Sequence, residues 1–294
     1  MDEGEEQVKL LLVHAHPDDE TITTGGTIAY YARAGVEVTV LTCSLGEEGE
    51  VIGDDLAGLV ADRADQLGGY RIHELHGALG ILGAQSPIFL GGAGRWRDSG
   101  MVGTAAASNP RAFVNADRDE ALSAMLTVLR SVRPDVVVGY DPEGGYGHPD
   151  HQQVHSLVTE AFDISGSDRY PEAGAPWTPQ KFYWTVTGEA QLSGGIAAIS
   201  EVPEGWRMPE PGELPSVPDD VVTTSLDVRE VVDLKRRALR AHATQVTVAP
   251  SGVEYALSNN IVQPILADEQ YVLVRGTLGE TDSSGKERDL FAGV

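Results

Sequence analysis

Three runs rich in apolar and β-branched side chains constrain this chain more than any other feature: residues 8–13, 36–42 and 135–140. The first and third are apolar almost without a break, which reads as strands covered on both faces, the habit of parallel sheets in α/β proteins. Between the first two runs, residues 24–34 show helical spacing, and Gly35 is placed to end the helix in the left-handed conformation. Strand, helix and strand within about 35 residues make a βαβ unit, whose crossover is right-handed by strong precedent.

The same alternation continues. Residues 56–67 and 72–82 are expected to be helical, and 87–90 a short strand. Asp117 and Glu120 form a capping pair for a helix ending near Val132, with Ala121, Leu122, Met125 and Leu129 on its inner side. After the strand at 135–140, Val154, Leu157, Val158, Ala161 and Phe162 give one apolar helical stripe. Beyond lie an expected strand at 182–186, a proline-rich connection at 201–219 and a helix over about 228–241 capped by Asp227. A last short strand at 272–275 and a frayed tail after 279 follow. The fold expected is α/β: a Rossmann-like, mostly parallel sheet flanked by helices, in one domain over 1–294. Its regular core covers about 8–163 and a less regular C-terminal layer about 164–294. A chain of this length can bury roughly 75% of its unfolded surface.

Composition narrows the function classes. Cys43 is the single cysteine, which removes internal disulfides and multi-cysteine metal cages and fits a reducing cytosol. The net charge of -24 argues against nucleic acid or an anionic membrane as partner, since both are bound through clustered Lys and Arg. The acidic start, residues 1–6, lacks the basic and apolar regions of a secretory signal, and no apolar stretch approaches a membrane span of roughly 20 residues. A cytoplasmic protein is the expectation; oligomeric state is left open.

Chemistry concentrates after two of the strands. His14-Ala15-His16-Pro17-Asp18-Asp19-Glu20 follows the first, and Tyr146-Gly147-His148-Pro149-Asp150-His151 follows the strand at 135–140. Open α/β sheets bind ligands at these strand ends. A hydrolytic zinc site takes about three ligands from His, Asp or Glu and keeps one position open. His16, Asp19 and His151 supply that set. Asp18, beside a ligand, is the natural general base, a role that typically contributes roughly 100- to 10,000-fold. His148 is placed to donate to the developing oxyanion or to protonate the leaving amine, with Asp150 holding its imidazole charged and oriented. Tyr146, flanked by glycines, is a candidate oxyanion donor. His14 and His155 read as structural residues. Two glycine-rich loops, 44–53 and 91–101, are candidates for lining the cleft.

Two other classes compete. A two-histidine, one-carboxylate set also suits non-haem iron oxygenases, but those usually sit on β-sandwiches. A metal-free sugar- or nucleotide-binding protein would explain the glycine loops, yet residues 91–94 lack the lysine of a phosphate loop and no GxGxxG follows the first strand.

His16-Pro17-Asp18-Asp19-Glu20 together with Gly147-His148-Pro149-Asp150-His151 resembles the LmbE-like superfamily of N-acetylglucosaminyl deacetylases. The resemblance implies a metal-dependent enzyme, usually zinc with ferrous iron possible, that removes an acetyl group from a glucosamine nitrogen. Segments 46–53, 65–71, 90–101, 141–151, 241–246 and 257–260 are most similar to the branch that deacetylates N-acetylglucosaminyl-inositol in mycothiol biosynthesis. Similarity spans about 8–275. It implies metal ligation by His16, Asp19 and His151, with Asp18 as base. His148 and Tyr146 stabilise the intermediate, and Arg71, Asp98, Met101 and Glu50 contact a pseudodisaccharide substrate. A sister branch, the mycothiol conjugate amidases, tends to carry lysine where this chain has Thr23 and Gly-Glu-Arg-Gly where it has Gly46-Glu47-Glu48-Gly49. Both departures favour the deacetylase branch.

Overall fold

The computed structural model describes residues 7–294, so the acidic segment 1–6 lies outside the described residues. In chain order the N-terminal elements are β1 (Lys9–His14), α1 (Asp19–Arg33), β2 (Glu37–Thr42), α2 (Leu67–Leu82) and β3 (Ile88–Phe89). Then come α3 (Arg118–Val132), β4 (Val136–Gly139), α4 (Pro149–Ile164), β5 (Lys181–Val186) and α5 (Glu189–Ala197). The rest are β6 (Thr224–Asp227), α6 (Val232–Ala241), β7 (Thr247–Val248), β8 (Glu254–Ala256), β9 (Gln263–Pro264) and β10 (Asp268–Arg275).

Seven strands form one sheet in the order β3-β2-β1-β4-β5-β10-β6, and β7-β8-β9 make a small antiparallel one. β3, β2, β1, β4 and β5 pair in parallel, while β10 runs antiparallel to both neighbours. Both faces are covered, which is why β1 is apolar throughout. Leu11 and Val13 pack with Val137 under α3 and α4, whereas Leu10 and Leu12 pack with Val136 and Val138 under α1, α2 and α6. Each fully buried leucine of this kind contributes roughly 1.5–3 kcal/mol by leaving water. Among the described residues no helix is long and apolar enough to cross a membrane.

Several expectations need correction. The sheet runs unbroken past residue 164, because β5, β6 and β10 all belong to it. β10 is longer than residues 272–275 because its polar start is buried: Glu269 ion-pairs with Lys235 and accepts the Gly26 and Thr27 N–H groups, and Gln270 accepts the Gly188 N–H. Residues 56–66 hold only a 3-10 turn, Ala57–Leu59, with no buried face to stabilise a helix. Asp227 ends β6 and bonds Arg229 rather than capping α6. The tail is not frayed: Glu287 and Leu290 are fully buried, and the Glu287 carboxylate accepts from Lys181, Tyr183 and Thr224.

Candidate active site

From β1 the chain moves to β2 and β3 on one side, then returns to β4 on the other. The crevice of such a sheet opens where this order reverses, at the carboxyl ends of β1 and β4. Both motifs open there. The first turn of α1 starts within the motif, at Asp19 rather than Thr24, and its carboxylates fold back onto the preceding loop. Asp19 Oδ2 accepts the His16 N–H at 2.9 Å and Glu20 Oε2 accepts the Asp18 N–H at 2.8 Å.

The three ligands expected from sequence meet at one oxygen. Asp19 Oδ2 lies 3.5 Å from His16 Nδ1 and 3.3 Å from His151 Nε2. Bonds of about 2.0–2.1 Å to a tetrahedral zinc set ligand atoms roughly 3.3–3.4 Å apart, so both edges fit. Among the described residues two trios have all donor atoms within 4.8 Å of one another, and neither includes Asp19: His16 with His148 and His151, and His16 with Asp98 and Asp150. Hydrogen bonds separate these sets by role.

His148 and His151, one helical turn apart, are held in opposite tautomers. His148 caps α4: its Nδ1 accepts the Asp150 N–H at 3.1 Å, so the proton of the neutral ring is on Nε2, which is then a donor and not a ligand. His151 Nδ1 donates to the Gly144 carbonyl at 3.1 Å, leaving the Nε2 lone pair free. That Nε2 is buried without a hydrogen-bond partner, the arrangement a metal satisfies. Gly144 has φ +63°, and a Cβ there would stand 2.5 Å from His151 Cβ, so only glycine brings this carbonyl to the ring.

The role expected for Asp150 is different in the structure. Its Oδ2 faces His16 Nε2 at 3.2 Å and accepts the Ser99 N–H, so the carboxylate orients His16 rather than His148. Asp98 Oδ1 stands 3.5 Å from the same Nε2. Carboxylates on one ring nitrogen fix the other for ligation. His148 is correspondingly not held charged: burial, aided by the neighbouring His16 and His151, lowers it to about 4.

Asp18 is set apart by its backbone, with φ 119° in the region L side chains rarely adopt, a strain of about 1–3 kcal/mol that active sites often carry. Its Oδ2 is 3.1 Å from Arg71 Nη2. Burial, the largest influence, pushes the Asp18 carboxyl up to about 6 against the pull of Arg71. A base in that range suits work near neutrality. Arg71, expected at the substrate, is 3% exposed and spends its guanidinium on Asp18, the Pro17 carbonyl and the Gly46 carbonyl. Its depth in the wall is the reason. Gly46 makes this possible, since a Cβ there would overlap the guanidinium.

Tyr146 is 54% exposed overall, with its ring edge-on to His151 at 5.0 Å and tilted 60° to His148. Its hydroxyl end is the enclosed one, and burial raises its pKa above the usual phenol value. Asp98 is buried, whereas Met101 and Glu50 stay on the exposed rim; the Glu50 carbonyl is held by Gln245. Sequence reading missed three contributors. Tyr140 stacks on His151 at 4.3 Å and its hydroxyl accepts the Ala15 N–H. Glu20 closes the first motif but had no role, and His242 lies in a C-terminal segment with no metal-like spacing.

Known proteins match both sequence and fold. The model of the PIG-L family, GlcNAc-PI de-N-acetylase, matches residues 11–162. A 1D-myo-inositol 2-acetamido-2-deoxy-alpha-D-glucopyranoside deacetylase of Rhodococcus erythropolis is 67% identical over 286 residues, 97% of each chain. The chain belongs to the PIG-L family. Among solved structures, a 4-carboxy-2-hydroxymuconate hydratase from Pseudomonas putida superposes with TM-score 0.58 at 21% identity, over 94% of this chain and all of the other. An N,N'-diacetylchitobiose deacetylase from Pyrococcus horikoshii gives TM-score 0.55 at 21% identity, over 80% of this chain and 69% of that one. Those two likenesses concern fold alone. One fold carrying a hydratase and a deacetylase leaves the reaction to the site.

Proposed function

We propose that this chain hydrolyses the acetamide of N-acetylglucosaminyl-inositol, releasing acetate and glucosaminyl-inositol, as a step of mycothiol biosynthesis. The observation that carries the reading is the meeting of His16, Asp19 and the free Nε2 of His151 at Asp19 Oδ2, in a chain so similar to a protein named for that activity. His16, Asp19 and His151 would hold zinc; ferrous iron suits the same donors, and availability decides between them. A bound cation of this kind supplies Lewis acidity, lowering the pKa of water toward roughly 7 and polarising the amide carbonyl.

The side chains do the rest. Asp18 takes the proton of the attacking water and passes it to the glucosamine nitrogen as the C–N bond breaks, leaving amine and acetate. His148, a neutral donor through Nε2, and the Tyr146 hydroxyl donate to the oxyanion of the tetrahedral intermediate. Asp150 and Arg71 act one step back, on His16 and Asp18. Asp98, Met101 and Glu50 are assigned to the hydroxyls of the pseudodisaccharide and to the rim around it.

The charge pattern supports an uncharged substrate without phosphate. Arg71 is spent on Asp18, Arg97 on Glu48 and Asp65, and Arg95 on Glu120, while Glu47, Asp98 and Asp150 are buried acidic groups of the walls. A phosphodiester would meet carboxylates rather than a free guanidinium. The chain is read as one domain over 1–294, acting on a small molecule.

The test compares amine release from N-acetylglucosaminyl-inositol with release from a mycothiol conjugate, before and after chelation. Amine should appear faster from the first substrate, stop on chelation and return with zinc. Full activity of the chelated protein would overturn the metal site, and faster turnover of the conjugate would move the chain to the amidase branch. For Tyr146→Phe, kcat is expected to fall more than KM rises, because the lost hydroxyl serves the intermediate rather than the bound substrate. An unchanged kcat would make Tyr146 a packing residue.

A further inference from the structure

Asp18 is held at two points. Arg71 holds the end of its side chain, and Glu20 holds its backbone through the Asp18 N–H. The other Glu20 oxygen, Oε1, lies 2.8 Å from His242 Nε2 across 222 residues of sequence, and both side chains are fully buried. A carboxylate can only accept there, so His242 donates through Nε2. Nδ1 of the same ring has no partner, which leaves Glu20 as the one polar group that orients it besides the Thr21 hydroxyl at 3.3 Å.

We propose that His242 is a positioning residue for Asp18, acting through Glu20; this rests on the reading of Asp18 as the base. The left-handed φ of Asp18 is a conformation that relaxes when its support is removed, and relaxation swings the carboxylate away from the reacting water. Misplacement by about 1 Å at such a position can cost roughly 100-fold. The turn carrying His242 also secures the second hold. The Thr244 N–H and hydroxyl both donate to Glu74, on the helix that bears Arg71, and the Thr244 carbonyl accepts the Ile52 N–H of the acidic loop. One turn from the C-terminal part of the chain thereby sets the backbone of Asp18 and the helix behind its side chain.

The experiment uses the zinc-loaded full chain and a pair of near-isosteric variants. The amide nitrogen of His242→Gln reaches the place of Nε2 and keeps the bond to Glu20; that of His242→Asn falls short. The expected result is near wild-type kcat for His242→Gln and a loss of about 10- to 100-fold for His242→Asn, the size usual for groups that orient active-site residues. KM and bound zinc should be unchanged in both. In an Asp18→Asn background, His242→Asn should cause no further loss. Equal activity of the Gln and Asn variants, loss of zinc, or the same loss with and without Asp18 would overturn the proposal. Full activity of Asp18→Asn would instead remove the base assignment and this inference with it. Should the Asn variant fail to fold, His242→Gln, His242→Phe and Glu20→Gln decide. If His242 acts through Glu20, Glu20→Gln and His242→Phe, whose ring carries no donor, both lower kcat with zinc retained, while His242→Gln does not; a His242→Phe variant as active as His242→Gln overturns the proposal. A fully active Glu20→Gln variant overturns the proposal.

Discussion

Asp18→Asn is expected to keep its bound metal and lose about 100- to 10,000-fold in kcat, the usual contribution of a positioned general base. The substitution preserves shape and removes only the ability to take a proton. Asp18 is separated from the ligand oxygen by its own backbone turn: Asp19 faces His16 and His151, while Asp18 faces Arg71. The wild-type pH profile carries the same signature. With Asp18 as the proposed base, activity requires its carboxylate, whose pKa burial pushes up to about 6, so kcat/KM should fall tenfold per unit as pH drops below that value. In the Asn variant this acid limb should vanish. A variant of wild-type activity, or one that keeps the limb, would assign the base elsewhere.

His151→Ala should lose bound metal and activity together, whereas His148→Ala should keep the metal and lose turnover alone. The pair tests the tautomer argument directly. His148 commits Nδ1 to the helix cap and carries its proton on Nε2; His151 commits Nδ1–H to Gly144 and leaves Nε2 bare. Removing the bare nitrogen leaves Asp19 and His16 to hold a divalent ion with two donors, below the three that hydrolytic zinc sites use. Metal analysis of both purified variants, beside their kcat, settles the matter. Equal metal loss in the two would place His148 among the ligands.

Much of the fold was legible because burial on two faces leaves a periodicity that needs no partner to read. β1, β4 and the stripe of α4 follow from runs of Leu, Val and Ala, and Asp117 caps α3 as its spacing indicates. The misread elements are those whose stability comes from distant polar partners. Residues 268–270 look like loop until Lys235 and the N–H groups of α1 meet Glu269, and the tail looks frayed until Lys181 and Tyr183 meet Glu287. A buried carboxylate and an exposed one have the same letter. Only the neighbour that neutralises it tells them apart, and that neighbour is often 100 residues away or more.

The sequence by itself determined the chemistry available: two histidine and carboxylate motifs, each opening a helix after a buried strand, and therefore both at one end of a parallel sheet. Only the tertiary structure decided which group does what. It turned Asp150 toward His16, spent Arg71 on Asp18 and brought His242 to Glu20. The physical reason is that residue type fixes what a side chain can donate or accept. Its protonation, its tautomer and its strain are set by atoms that only folding places within about 3 Å.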